Sequence, residues 1–167
     1  PVSAIDIDAV LLTHAHIDHS GMLPALVAKG FKGNIICTYA TFKLCEIMLR
    51  DSAHIQEFEA QWRNRKAQRA GLEPYVPVYT LKDAEAAIKQ FSPVSYKETV
   101  EVCDGVTAEF TDAGHLLGSS SINITAEENG VIRTLLFSGD LGNIDRPLIR
   151  DPQTPEAADY VIIESTY

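Results

Sequence analysis

The segment Thr13-His-Ala-His-Ile-Asp-His-Ser20 places three of the five histidines of the chain, and one aspartate, within six residues. Imidazole and carboxylate are the side chains that hold zinc where thiolates are lacking. His14 and His16 are separated by one residue and can point the same way from an extended turn. Asp18 and His19 stand at the start of a helix and diverge toward a second, nearby point. That spacing supplies ligands for two adjacent metals. Two later positions fit the same chemistry: His115, in Thr111-Asp-Ala-Gly-His115, and Asp140, in Ser138-Gly-Asp140. His115 completes a three-histidine set with His14 and His16. Asp140 can bridge both metals through its two oxygens, its charge stabilised by the cations. A lone histidine is more often structural, and His54 is read that way.

These side chains require elements that end at one edge of a sheet. Ala9–Thr13 reads as a short buried strand running into the histidine turn. A helix follows over Ser20–Lys29, with Ser20 as its N-cap and Gly30 as its stop. Asn34–Thr38 is a second strand, and strand, turn, helix, strand predicts an α/β layer architecture. From Ala40 to about Ala70 the pattern is helical and ends at Gly71. Thr80 to Phe91 is a further helix, opened by the capping pair Thr80 and Asp83. After Pro93 the period becomes two, which predicts strands at Thr99–Cys103, Val106–Thr111, Ser121–Ala126 and Val131–Phe137. Asp104-Gly105 and Asn129-Gly130 mark hairpin turns, and Tyr160–Glu164 reads as a last buried strand.

The chain has 167 residues, 46% of them hydrophobic, which suits one domain with a real core and excludes a disordered chain. No apolar run approaches the roughly 20 residues that span a bilayer, and a cytoplasmic protein without membrane contact is expected. Cys37, Cys45 and Cys103 read as free, small, buried hydrophobes. The formal charge of −9 is uneven: residues 1–97 carry 11 basic and 10 acidic side chains, residues 98–167 carry 3 and 13. Bulk electrostatics therefore argues against nucleic acid, although bound divalent cations would offset part of the acidity. Arg63, Arg65, Lys66 and Arg69 crowd one helix end, where a solvated face or phosphate contact accounts for them. Ser119–Ser121 fit a strand-entry turn or hydroxyls near the metals.

His14-x-His16-x-Asp18-His19, His115 in Gly114-His-Leu-Leu-Gly118 and Asp140 in Ser138-Gly-Asp-Leu-Gly142 together resemble the metallo-β-lactamase superfamily. Glu164-Ser-Thr-Tyr167 is similar to the stretch that opens the β-CASP region in its nuclease branch. Asp51-Ser-Ala-His-Ile-Gln56 resembles bacterial members related to the 3′-end pre-mRNA processing endonuclease. The resemblance implies a four-layered αββα sandwich, present here in part over residues 1–167 with a helical insertion at about 40–91. The opening strands would precede Pro1 and the β-CASP domain would follow Tyr167, so both ends read as cut from something longer. It further implies two zinc ions, a metal-activated hydroxide as nucleophile, and RNA, with single-stranded DNA as a further substrate. Asp18 would receive or orient the proton of that nucleophile, and Glu164 would orient a histidine of the absent domain. The isolated chain is expected to bind one zinc or fill its sites incompletely, to be inactive, and to self-associate through exposed sheet edges. The competing readings are a glyoxalase II-like thioester or lactone hydrolase and a non-catalytic scaffold.

Overall fold

The computed structural model describes residues 2–165. After a 3-10 turn at Ala4–Asp6 the order is β1 (Ala9–Leu11), α1 (Ile17–Ser20), α2 (Leu23–Ala28), β2 (Asn34–Thr38), α3 (Tyr39–Ala70) and α4 (Leu81–Ile88). The remainder is β3 (Phe91–Val94), β4 (Thr99–Cys103), β5 (Val106–Asp112), β6 (Ser120–Glu128), β7 (Val131–Phe137) and β8 (Tyr160–Ile162). Strands β1, β2 and β3 form a parallel three-stranded sheet in that order. Strands β4 to β8 form a second sheet in sequence order, antiparallel except for the parallel pair β7–β8.

The alternation of β2 explains how the layers stack. Successive strand residues point to opposite faces, so Ile35 and Cys37 pack under the helices with Leu23, Cys45, Leu49 and Ala84. Ile36 points the other way, into a second cluster with Val94 of β3, Ala108 and Phe110 of β5 and Ile122 of β6. Helices, a three-stranded sheet and a five-stranded sheet therefore lie in three successive layers, the α/β order αββ. No helix among the described residues covers the outer face of the larger sheet.

Several local expectations change. Ser20 is not an N-cap: its hydroxyl donates to the carbonyls of Ala15 (2.9 Å) and His16 (3.0 Å), closing the single turn of α1. The next helix starts at Leu23, with Pro24 in its first turn, where a missing N–H is tolerated. The last helix stops at Ile88 rather than Phe91, and Phe91–Val94 is a strand with Pro93 inside it. That strand lies on the edge of its sheet, the position where proline removes no ladder bond. The final strand β8 forms but is not buried, Tyr160, Val161 and Ile162 being 57%, 55% and 47% exposed. The Thr80–Asp83 capping box is present, and Asn129 and Gly130 both take positive φ, as a two-residue hairpin turn of the primed kind requires. Cys37 and Cys45 are buried, and burial pushes the Cys45 thiol up to about 12, whereas Cys103 is only partly covered.

One junction ties the helical layer to the loop after β5. Thr38 Oγ1 and Thr41 Oγ1, in the first turn of α3, both donate to the carbonyl of Gly118, at 2.7 and 2.8 Å. Gly118 has φ +84, and a Cβ there would run into the Thr41 amide and sit 2.8 Å from Thr38 Oγ1. Gly118→Ala is therefore expected to lower stability by about 2–4 kcal/mol, read as a lower urea midpoint. An unchanged midpoint would show that this loop is not tied to α3.

Candidate metal centre

Three segments that leave strand ends build the site. The stretch after β1 carries His14 and His16, the β5–β6 connection carries His115, and the stretch after β7 carries Asp140. Three consecutive serines hold them. Ser119 Oγ accepts from the backbone N–H groups of His115 (3.0 Å) and Leu116 (3.2 Å). The Ser120 hydroxyl and amide both donate to the carbonyl of Thr13 at 2.9 Å. Ser121 Oγ donates to the carbonyl of Ser138 at 2.8 Å. These hydroxyls serve the backbone of the ligand-bearing loops and are buried away from the cleft.

The side chains converge closely. His16 Nδ1 lies 3.1 Å from His14 Nε2 and 3.2 Å from His115 Nε2. Asp140 Oδ2 lies 3.6 Å from both His14 Nε2 and His115 Nε2. All four donor atoms fall within 4.8 Å of one another, a group that can hold a metal ion. The other carboxylate oxygen, Asp140 Oδ1, is 3.4 Å from His19 Nε2, which in turn is 3.6 Å from Asp18 Oδ2. Asp140 thus faces two groups of side chains, one through each oxygen. Asp18 is 76% exposed and stands at the rim.

The donor set fits a cation. His16 Nδ1 faces two other imidazole nitrogens, and one nitrogen cannot share a proton with both. A tetrahedral ion with bonds of about 2.0–2.1 Å spaces its ligands by roughly 3.3 Å, in line with the contacts of 3.1–3.6 Å. Thr13 Oγ1 lies 3.1 Å from His14 Nδ1 and engages the ring nitrogen that faces away from the cluster. With Nδ1–H donating to that hydroxyl, Nε2 keeps its lone pair for a cation.

His14 has no exposed surface. Burial, and then the charge of His19, hold its pKa down at about 4, against a weaker upward pull from Asp140. The ring is therefore neutral at pH 7, as a ligand must be.

A cleft of about 630 Å³ opens beside the cluster, bordered by His16, His115, Asp140, Asn143, Arg146 and Glu164. Glu164 Oε1 accepts from the Leu141 amide at 2.6 Å, and the Glu164 amide donates to Ser138 Oγ at 3.0 Å. Its carboxylate thus braces the backbone one residue from Asp140. The Thr166 and Tyr167 positions of the same motif lie outside the described residues. His54 is exposed on α3 and stands apart from the cluster. Sequence reasoning did not single out Thr13, Asn143 or Arg146. Arg146 is one of only three cations after residue 97, and that scarcity was the available signal.

Fold and site together define a class: an α/β domain whose sheet edge carries a histidine–aspartate cluster that can hold a metal ion. The model of the metallo-β-lactamase superfamily domain matches residues 3–138, and the chain belongs to that superfamily. It is 37% identical over 97% of its length to the ribonuclease TTHA0252 of Thermus thermophilus, and covers 32% of that protein. It is 32% identical over 97% of its length to the transcription termination factor FttA of Methanocaldococcus jannaschii, covering 23% of it. The chain thus spans about a third or less of these relatives. Among solved structures, the metallo-β-lactamase SMB-1 bound to mercaptoacetic acid matches 86% of this chain and 48% of its own, with TM-score 0.50 and 14% identity. That likeness is one of fold.

The depressed His14 pKa has a stability consequence in the metal-free chain. Between about pH 6.5 and pH 4 the unfolded imidazole takes a proton that the folded one refuses. Stability due to this group is therefore full above pH 6.5 and falls as pH drops toward 4, by roughly 3 kcal/mol in all. Urea midpoints measured across that window check it, and His14→Gln is expected to flatten the slope.

Proposed function

We propose that this chain is the metal-binding part of a phosphodiester hydrolase of the β-CASP type, acting on RNA. The observation that carries the reading is Asp140, whose two oxygens face His14, His16 and His115 on one side and His19 with Asp18 on the other. A carboxylate shared in this way suits two neighbouring cations. In the reading, His14, His16, His115 and Asp140 hold the first zinc, and Asp18, His19 and Asp140 contribute to the second. Zinc pairs of this kind supply a hydroxide equivalent at neutral pH and charge neutralisation for the phosphate.

The residues of the chain have separate tasks. Asp18, exposed at the rim and facing His19, holds or passes the proton released as water attacks. Glu164 is a positioning residue that keeps Asp140 in place through the Leu141 amide. Orientation of a histidine from a following domain remains compatible with its place in the cleft. The name of the Thermus relative favours a phosphodiester over a thioester or lactone substrate. The bridging geometry speaks against a scaffold without ligands.

The second group offers His19, Asp18 and the shared Asp140, fewer ligands than the four that zinc fills in closed sites. The chain is therefore expected to bind one zinc tightly and a second weakly, with negligible turnover of RNA. Calorimetric zinc titration checks the stoichiometry. His16→Ala should weaken the tight site by about 100-fold or more, and Glu164→Ala by about tenfold, with Glu164→Gln close to the parent because its amide oxygen still accepts the Leu141 N–H. A longer protein carrying this chain should hydrolyse RNA and no thioester, in a chelator-sensitive manner. Absence of zinc binding, or thioester hydrolysis without RNA hydrolysis, would sink the reading.

A further inference from the structure

The far half of α3 carries a surface that the metal cluster does not use. Its buried stripe, Cys45, Leu49, Ala53 and Ala60, recurs at helical spacing and faces the core. Phe58, Trp62, Arg65, Lys66 and Arg69 share the opposite side. Phe58 and Trp62 are 65% and 53% exposed, so neither contributes to the core. Between Gln61 and Ala70 there are four cations and no carboxylate, in a chain of formal charge −9.

The aromatic groups there are held in place. Lys66 Nζ sits 3.7 Å from the centroid of the Trp62 ring, and the Arg63 guanidinium carbon 4.6 Å from that of Tyr75. Tyr75 lies on the segment that returns along α3, where Asn64 makes two backbone hydrogen bonds to it, Nδ2 to the Tyr75 carbonyl (2.9 Å) and Oδ1 from its amide (2.6 Å). Further along, Gln56 Oε1 accepts from the Val78 amide and Tyr79 donates to Ser52 Oγ. A hollow of about 350 Å³ lies between Phe58, Glu59, Trp62 and Arg63. Glu59 is its one carboxylate and already faces Arg63 at 3.6 Å.

We propose that this end of α3 binds single-stranded RNA, bases stacking on Trp62 and Phe58 while Arg65, Lys66 and Arg69 take phosphates. The choice of RNA rests on the function proposed above. Alternating aromatic and cationic groups on a fixed surface match what unpaired nucleic acid presents, flat π-faces joined by a charged backbone. Four cations with no carboxylate between Gln61 and Ala70, in a chain of formal charge −9, select an anionic partner. The first turn of α3 touches the loop of His115 through Thr41 and Gly118, so Trp62 stands about 30 Å along the helix axis from that junction. The surface is a second anchor for a strand whose cleaved bond lies in the cleft.

The test is fluorescence anisotropy of a labelled polyuridine of about 12 nucleotides, with the 167-residue chain, in chelator, at several salt concentrations. Binding that weakens with salt is expected. R65E/K66E/R69E should weaken it at least tenfold and flatten the salt slope. The charge-matched K32E/K82E/K89E, on other exposed lysines, should change it less than threefold. Trp62→Ala should cost about fivefold or more, and Trp62→Tyr should restore most of it; circular dichroism checks that each variant keeps its helix. No binding by the parent, or equal loss in both triple variants, overturns the proposal. So does a parent that dimerises through Trp62 with RNA affinity unchanged in Trp62→Ala. Because zinc is chelated throughout, failure to cleave RNA in a separate assay leaves this result standing, and failure here leaves the metal centre standing.

Discussion

Four electron-pair donors that repel one another must be held within 4.8 Å, and they come from three stretches of chain that no local contact unites. The constraint that makes this possible is the run Ser119-Ser120-Ser121 at the start of β6. Each serine fastens the backbone of a different ligand-bearing stretch: His115 itself, Thr13 beside His14, and Ser138 two residues before Asp140. Thr13 belongs to the layer of the small sheet and Ser120 to the larger one, so the same bonds also close the two sheets at this edge. Buried hydroxyls are costly unless paired, and these are paired with backbone groups whose positions set the cluster. A strand-entry turn explains the serines locally. Their arrangement along three different partners is what organises the site.

The acidity of the second half follows in part from the same need. Asp112 Oδ1 accepts from the Gly114 amide, next to His115, and Glu164 Oε1 accepts from the Leu141 amide, next to Asp140. Asp159 and Asp151 accept in the same way from the amides of Thr134 and Asp145. A charged acceptor makes a stronger bond to a backbone N–H than a neutral one, and long loops between strands leave many such donors to satisfy. Asp112, Asp151, Asp159 and Glu164 are thus loop fasteners, and Asp140 is the carboxylate of this half that enters the cluster. Net charge hides such local groupings: Arg63, Arg65, Lys66 and Arg69 sit together on α3 in a chain of formal charge −9.

Much of the fold was legible because its signals are local. The period-two stretches, the Asn129-Gly130 turn and the Thr80–Asp83 cap each act within a few residues, and each is where the pattern puts it. Errors arose where tertiary position decides. Phe91-Ser-Pro-Val94 carries a proline that argues against a strand in isolation, yet an edge position makes it harmless. Ser20 has the chemistry of a helix cap, but its hydroxyl finds the carbonyls of Ala15 and His16 first. Tyr160–Ile162 is apolar enough for a core, and its exposure depends on which elements pack over it. The histidine motif was readable from residue type and spacing; the contribution of Thr13, the serines and the Leu141 amide was not, since backbone partners leave no trace in residue spacing.

The helical region read as an insertion is bound into the same core as the strands. Cys45, Leu49 and Ala53 of α3, with Ala84 and Ile88 of α4, pack in one cluster with Ile35 and Cys37 of β2 and Phe31 before it. Removing these helices would leave only α1 and α2, with Leu23 and Ala25, on that face of the three-stranded sheet, whose β1 delivers His14 and His16. The two halves of α3 therefore answer to different constraints. Up to about Ala60 its buried stripe is dictated by the sheet beneath it. Beyond that point no described strand lies under it, and the returning segment braces it at Tyr75, through Asn64 and Arg63. There the sheet does not dictate the sequence, which is free to answer to solvent, to a ligand or to another part of a longer protein. Solvent alone would favour charge without Trp62 and Phe58.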